Sequence, residues 1–281
     1  MAALKAFVIG HPIAHSRSPL IHGHWLATLG LPGSYERIDV PPADLPGFIR
    51  GFDERGYVGG NVTIPHKEAV FEIVDETTDV ARRLGAVNTL WTDPDGRIVG
   101  HNTDGAGFTA GLADAVGPEW TEEVETALVV GAGGAARAIV AGLLDSGIGR
   151  ILVANRTRER AIPLCAFAPD RITAVALAET GSVLGEADLL VNTTSLGMKG
   201  EPPLALDLGG LREGAIVADI VYVPLQTPLL ADARRRGLRT ADGLGMLLHQ
   251  AVPGFQAWFG ARPLVTPELR ALLEADVMRG A

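Results

Sequence analysis

The 281-residue chain contains a single cysteine, Cys165, which excludes an intramolecular disulfide framework and any CxxC metal cluster, and fits a reducing, cytoplasmic setting. Lysine is nearly as scarce. Of 24 Lys and Arg residues only Lys5, Lys67 and Lys199 are lysines, leaving 21 arginines. No apolar run approaches the ~20 residues of a membrane helix; AIVAGLL (138–144) is typical of the longest stretches. The opening run MAALKAFVIG has no basic n-region and reads as a strand rather than a leader. Basic charge is also in deficit, with 33 acidic residues giving a formal net charge of −9. No basic stripe dominates, so neither nucleic acid nor a membrane is an expected partner. A small anionic ligand is not excluded, because a local pocket can oppose the global sign. The seven histidines show no HExxH or comparable spacing, and His22 and His24 lie on different faces of a predicted helix, so no metal is expected.

What is present is an alternation of short apolar strands and helical patterns. Strands are read at 4–9, 34–40, 57–63, 86–91, 97–102, 126–130, 151–155, 188–193 and 215–220. Helices fall between most of them, one of them begun by Pro65, and the Asp93-Pro94-Asp95-Gly96 step signals a hairpin. Such alternation predicts an α/β fold with parallel sheets covered on both faces. From Leu244 the pattern returns to helices, with Pro253 expected to interrupt the first and Thr266-Pro267-Glu268 starting the last. The expected organisation is two α/β domains around a cleft: residues 1–104 plus 244–281, and an inserted Rossmann-type doubly wound parallel sheet at 105–243.

The second domain opens on a strand followed by Gly131-Ala132-Gly133-Gly134-Ala135-Ala136, the GxGxxA form of the dinucleotide fingerprint. Gly131 permits the tight turn, Gly133 lets backbone amides approach a pyrophosphate, and Ala136 allows close helix–strand packing. NAD-binding chains place an acidic residue at the end of the next strand. Here that position reads Asn155-Arg156-Thr157-Arg158-Glu159-Arg160, without a carboxylate at Asn155. Forked arginine donors suit a 2′-phosphate, so NADP is the expected cofactor, with Arg156 and Arg160 ahead of Arg158.

Three polar clusters end first-domain strands: His15-Ser16-Arg17-Ser18-Pro19, Asn61-Val62-Thr63-Ile64-Pro65-His66-Lys67 and Asn102-Thr103-Asp104-Gly105. In open α/β sheets ligands sit beyond the carboxyl ends of strands, so these clusters converge on one expected site. Bland readings exist for most: Ser16 and Ser18 as helix caps, Asn61 and Thr63 as strand ends, Asp104 as an N-cap. Lys67 resists one. It sits in a first helical turn, where the dipole disfavours a cation, and unlike arginine it can release a proton.

Taken together, GHPIAHSRSP, NVTIPHK, GAVNTL, NTDGAGF, VVGAGGAARA, NRT, NTTSLGM, VYVPLQTPLL and DGLGMLLHQA resemble the shikimate dehydrogenase family along essentially the whole chain. The resemblance implies NADP-dependent interconversion of 3-dehydroshikimate and shikimate, in aromatic amino acid biosynthesis. It implies Lys67 and Asp104 as the catalytic pair, and Ser16, Ser18 and Tyr222 on the substrate carboxylate. Asn61, Thr63, Asn88, Thr103 and Gln250 would read the ring oxygens. Gly131, Ala132, Gly133, Gly134, Ala135, Asn155, Arg156, Thr157 and Arg160 would hold the cofactor, with Val221, Gly243 and Met246 toward the nicotinamide. The serine of HSxS resembles the shikimate-selective pattern, while quinate or aminoshikimate dehydrogenase remains open, as does a homodimer. A non-catalytic ligand sensor on the same scaffold would be expected to lack Lys67 or Asp104, and both are present.

Overall fold

A computed structural model describes residues 3–280; residues 1, 2 and 281, which the expected domain bounds include, lie outside the described residues. The chain divides into two compact units. One runs to Thr103 and includes Gln250–Leu273; the other comprises Asp104–His249 and the residues from Glu274 on.

The first unit is built from β1 (Leu4–Gly10), α1 (Ser18–Thr28), β2 (Gly33–Asp39), α2 (Leu45–Arg50), β3 (Tyr57–Val62), α3 (Lys67–Ile73), β4 (Glu76–Thr77), α4 (Asp79–Leu84), β5 (Thr89–Thr92) and β6 (Ile98–His101). Its sheet has the order β2-β1-β3-β5-β6-β4. β1 pairs in parallel with β2 and β3, as the alternation predicts. Beyond β3 the sheet is mixed, as the hairpin signal at Asp93–Gly96 predicts. The Asp93–Gly96 turn, closed by Gly96 N–H to Asp93 O at 3.0 Å, makes β5–β6 a hairpin, and β5 runs antiparallel to β3. This reversal matters for function, because the start of β5 and the end of β6 then lie at the carboxyl end of β3: Asn61 faces Thr89, and Thr89 faces His101. One face of the sheet buries Phe7, Ile9 and Val62 against Phe48, Ile49 and Phe52.

The second unit contains α5 (Asp104–Val116), α6 (Trp120–Glu123), β7 (Thr126–Val130), α7 (Gly134–Asp145), β8 (Arg150–Asn155), α8 (Ile162–Cys165), β9 (Ile172–Ala176), α9 (Thr180–Val183), β10 (Leu189–Asn192), β11 (Ile216–Asp219), α10 (Pro228–Arg235), β12 (Arg239–Ala241) and α11 (Gly243–His249). All six strands are parallel, in the order β12-β11-β10-β7-β8-β9. Alternate residues point to opposite faces. Ala127, Val129, Ile151, Val153 and Val191 pack with Leu112, Ile139 and Leu143, whereas Leu128, Val130, Leu152 and Val217 pack with Leu229, Leu230 and Ala233. Both faces are covered, which is why these strands read as continuous apolar runs. The strand order reverses between β7 and β10, and ligands of such sheets bind beyond that switch point.

The chain re-enters the first unit at Gln250 rather than at Leu244. α11 packs on α5, with Gly245 and Gly111 so close that a Cβ at Gly111 would lie 2.6 Å from the Gly245 carbonyl carbon. α12 (Ala251–Phe259) follows, and α13 (Pro267–Gly280) closes the chain, its start capped by Thr266 Oγ1 accepting from Leu269 N–H at 3.3 Å. The break between α11 and α12 falls at Gln250, three residues before Pro253, which lacks the N–H needed to continue the helix back to residue 249.

Candidate active site

In the second unit, Gly131 leaves the end of β7 with φ +117° and donates its N–H to Ala154 O at 2.8 Å. A side chain there would be strained, and its Cβ would lie 2.3 Å from Thr193 Oγ1 at the end of β10. The glycine loop therefore sits at the switch point. Gly133 and Gly134 behave differently: a Cβ on either meets nothing within 4 Å, so no protein neighbour requires glycine there. Gly133 is the extended N-cap of the 12-residue α7, with Ala132 before it and Ala135 in the first turn. Unsatisfied N–H groups of that turn and the dipole suit an anion, and Ala136 is fully buried behind it. This open cradle fits a pyrophosphate.

Beyond β8, Asn155 Nδ2 donates to Thr157 O at 2.8 Å and so shapes the turn. The structure forms a 3-10 turn at Arg158–Arg160 followed by the four-residue α8. Arg158 Nε is committed to Ala174 O at 3.0 Å. Arg156 and Arg160 are exposed, and neither guanidinium has an ion-pair or hydrogen-bond partner among the described residues, the Arg160 backbone N–H alone donating to Thr157 O at 3.0 Å. Two unpaired guanidiniums beyond the strand next to the glycine loop match a 2′-phosphate.

At the end of β11, Asp219 is buried and organises the backbone that carries Val221 and Tyr222. It accepts from Val221 N–H (3.0 Å), Asn192 Nδ2 (3.0 Å) and Thr227 Oγ1 (2.7 Å). Burial pushes its pKa up to about 6 against the pull of these donors. Val221 O in turn accepts from Gly243 N–H at 3.4 Å, and a Cβ at Gly243 would lie 2.0 Å from Ile220 O. Met246, one turn further along α11, is half-buried against the core.

In the first unit the polar residues are assembled around the carboxyl end of β3. Ser16 Oγ donates to Ser18 Oγ at 3.3 Å. Arg17, not a serine, holds the N-cap position of α1 and no side chain caps it. Asn61, Asn88, Thr89 and Thr103 are all buried and joined by hydrogen bonds: Asn61 Nδ2 to Asn88 O (3.1 Å) and Thr89 Oγ1 (3.1 Å), Asn88 Nδ2 to Thr103 Oγ1 (3.0 Å), Thr103 Oγ1 to Gln250 O (2.8 Å). Tyr35 Oη donates to Asn61 Oδ1 at 2.6 Å. Burial pushes the Tyr35 phenol well above its ordinary range, opposed by bonds to Ser18 and Asn61, so it is a permanent donor. Its ring is stacked on His22 at 4.0 Å.

Pro65 does not start α3. Residues 63–66 form a turn closed by His66 N–H to Thr63 O at 2.9 Å, and Lys67 is the first helical residue. Buried His66 ties this turn down by bonding Val40 O through Nε2 at 2.7 Å. Lys67 is half-buried, and its carbonyl accepts from Val87 N–H at 2.9 Å, which joins α3 to the segment that carries Asn88. Asp104 is buried at the first position of α5. Sequence reasoning overlooked Tyr35 and Thr89. The available signals were that tyrosine occurs only three times in the chain and that Thr89 directly follows a candidate Asn.

A doubly wound sheet with an open glycine cradle at its switch point defines the dinucleotide-binding α/β class. Residues 8–90 match the family described as "Shikimate dehydrogenase substrate binding domain", and residues 113–198 match "Shikimate / quinate 5-dehydrogenase". The chain is 62% identical over 278 residues to "Shikimate dehydrogenase (NADP(+))" of Methylobacterium radiotolerans, covering 99% of each chain. Among solved structures it is similar to the Thermus thermophilus shikimate 5-dehydrogenase in complex with NADP(H) and shikimate, with TM-score 0.84 and 37% identity over 99% of this chain and 100% of that one. It is also similar to the quinate dehydrogenase of Corynebacterium glutamicum in complex with NAD, with TM-score 0.89 and 32% identity over 97% and 99%. The chain belongs to the shikimate dehydrogenase family.

Proposed function

We propose that this protein is an NADP-dependent shikimate dehydrogenase, interconverting 3-dehydroshikimate and shikimate in the shikimate pathway of aromatic amino acid biosynthesis. The observation that carries this reading is full-length 62% identity to an NADP(+) shikimate dehydrogenase, in a chain that keeps Lys67 and Asp104. The unpaired Arg156 and Arg160 support NADP over NAD, and the serine pair Ser16 and Ser18 supports shikimate over quinate.

In this reading the substrate carboxylate takes donors from the hydroxyls of Ser16, Ser18 and Tyr222. The ring oxygens are read by Asn61, Thr63, Asn88, Thr103 and Gln250. The Lys67 ammonium gives its proton to the carbonyl oxygen of 3-dehydroshikimate as that carbon is reduced. In the other direction the amine takes the hydroxyl proton while the carbon loses hydride. Asp104 orients the ammonium and accepts from a substrate hydroxyl. Gly131, Ala132, Gly133, Gly134 and Ala135 cradle the cofactor pyrophosphate, Asn155, Arg156, Thr157 and Arg160 its adenosine phosphate end, and Val221, Gly243 and Met246 the nicotinamide. When bound, NADP accepts the hydride and NADPH supplies it. The carboxyl-terminal residues 250–273 thus serve the substrate unit, and residues 104–249 the cofactor unit.

Among the described residues no helix is long and apolar enough to cross a membrane. The single cysteine fits a reducing, cytoplasmic setting. Sizing the protein in solution decides between monomer and homodimer. The catalytic assignment is tested by Lys67→Ala: turnover should fall by ~10²–10⁴-fold while shikimate still binds, because a positioned acid/base contributes on that scale. Undiminished turnover overturns the role of Lys67.

A further inference from the structure

The amide cluster of the first unit has a direction that three backbone groups impose. The Asn88 carbonyl can only accept, so the Asn61 atom 3.1 Å away is the NH₂ and the other amide atom is Oδ1. The Thr103 N–H can only donate, so the Asn88 atom 2.9 Å away is Oδ1. The Gln250 carbonyl takes the hydroxyl proton of Thr103 at 2.8 Å, and that hydroxyl then accepts from Asn88 Nδ2. With these ends fixed, both hydroxyls between them are fixed as well. Tyr35 must donate to Asn61 Oδ1 (2.6 Å), and Thr89 must accept from Asn61 Nδ2 (3.1 Å) and donate to Asn88 Oδ1 (2.8 Å). Both protons of the Asn61 amide are thereby used within the protein. What Asn61 retains for a ligand is the second lone pair of Oδ1.

We propose that Tyr35 and Thr89 are positioning residues that set the donor–acceptor polarity of Asn61 and Asn88, so that Asn61 meets the substrate ring only as an acceptor of a hydroxyl proton. The inference rests on the reading that Asn61 and Asn88 bind the ring oxygens. Neither Tyr35 nor Thr89 has to touch substrate. Tyr35 is held by its stack on His22 and Thr89 by its place in β5 opposite Asn61, so each acts through the amide it bonds. Selection follows directly. A ring position bearing a hydroxyl can donate to Oδ1, whereas an ether or oxo oxygen presents lone pairs to a lone pair.

The test compares wild type with Tyr35→Phe, Thr89→Val, Thr89→Ser and Asn61→Ala, using shikimate and shikimate analogues O-methylated at one non-reacting ring hydroxyl. Tyr35→Phe and Thr89→Val should raise KM for shikimate roughly tenfold while kcat and the KM for NADP stay within about twofold, the signature of lost uniform binding. Thr89→Ser keeps the hydroxyl and should match wild type. For the one analogue lacking the hydroxyl that faces Asn61, KM should be insensitive to Tyr35→Phe and Thr89→Val. Equal losses for shikimate and every analogue, or kcat and NADP KM moving together with shikimate KM, overturn the inference and leave a structural role alone. The underlying reading fails separately, if Asn61→Ala leaves the shikimate KM unchanged. If Asn61→Ala raises it but Tyr35→Phe and Thr89→Val do not, positioning is wrong and substrate contact stands.

Discussion

His22 offers the sharpest physical handle on the support beneath the site. Its ring is fully buried, stacked on Tyr35 at 4.0 Å and flanked by Trp25 and Trp258 at 5.5 Å each, and neither ring nitrogen has a hydrogen-bond partner. Burial drives its pKa down from 6.5 to about 3, against a smaller opposing pull from the neighbouring Asn61 side chain, which stays outside hydrogen-bond geometry. Between those values the unfolded chain binds a proton that the folded chain excludes. Stability from this group is complete above pH 6.5 and is lost as pH falls toward 3. Each pH unit in that window corresponds to about 1.4 kcal/mol, so the loss is about 2 kcal/mol at pH 5 and about 4–5 kcal/mol over the whole window. His22→Phe keeps a flat ring against Tyr35 and removes the titrating group. Overpacking adds a constant offset of ~1–3 kcal/mol, but an offset does not alter a slope. Urea unfolding of both proteins at several pH values, followed by tryptophan fluorescence, gives the difference directly. Carboxylates common to both proteins cancel in that difference. The variant should gain on wild type by about 1.4 kcal/mol per unit of acidification below pH 6.5. Parallel pH curves would refute the assignment of a buried, neutral imidazole.

Two further outcomes follow from the second unit. Arg156→Ala should weaken NADP by roughly 10–100-fold, the scale of one or two charge-assisted bonds, and leave NAD within about twofold; steady-state KM values for both cofactors check this, and equal losses reject the phosphate clamp. Gly111→Ala places a Cβ 2.6 Å from the Gly245 carbonyl carbon and 2.8 Å from Met246 N, so α11 must move away from α5. Stability should fall by ~1–3 kcal/mol and the KM for NADP should rise, since α11 carries Gly243 and Met246. Unchanged thermal unfolding would show that the two helices do not need this approach.

How much of this was legible in the sequence depended on the range of the interactions. β7, β8, β10 and β11 were readable because strands buried on both faces are apolar runs. β9 was not, because ITAVA continues into an alanine-rich ALAET stretch that reads equally as helix. β4 and β12, two and three residues long, offer no period to detect. Pro65 resembled a helix start, yet the backbone bond between His66 and Thr63 makes its segment a turn and gives Lys67 the first helical position. The return at Leu244 was misplaced because α11 and α12 form one apolar pattern, and it is contacts distant in sequence, with α5 and with Ile220 and Val221, that assign α11 to the second unit. Candidate site residues stood out where the chemistry itself requires a residue type, as with Lys67 and the glycine loop. Tyr35 and Thr89 did not, since what they do is visible only once Asn61, 26 and 28 positions away respectively, is seen to be their partner.

The central claim is the choice of both substrate and cofactor, and one matrix of rates tests it. Purified protein is assayed for NADPH or NADH formation with shikimate and quinate, each against NADP and NAD. Shikimate with NADP should give the largest kcat/KM by at least about tenfold over every other pairing, a margin one or two specific polar contacts can supply. A preference for quinate, or for NAD, or no turnover with any pairing, would contradict it.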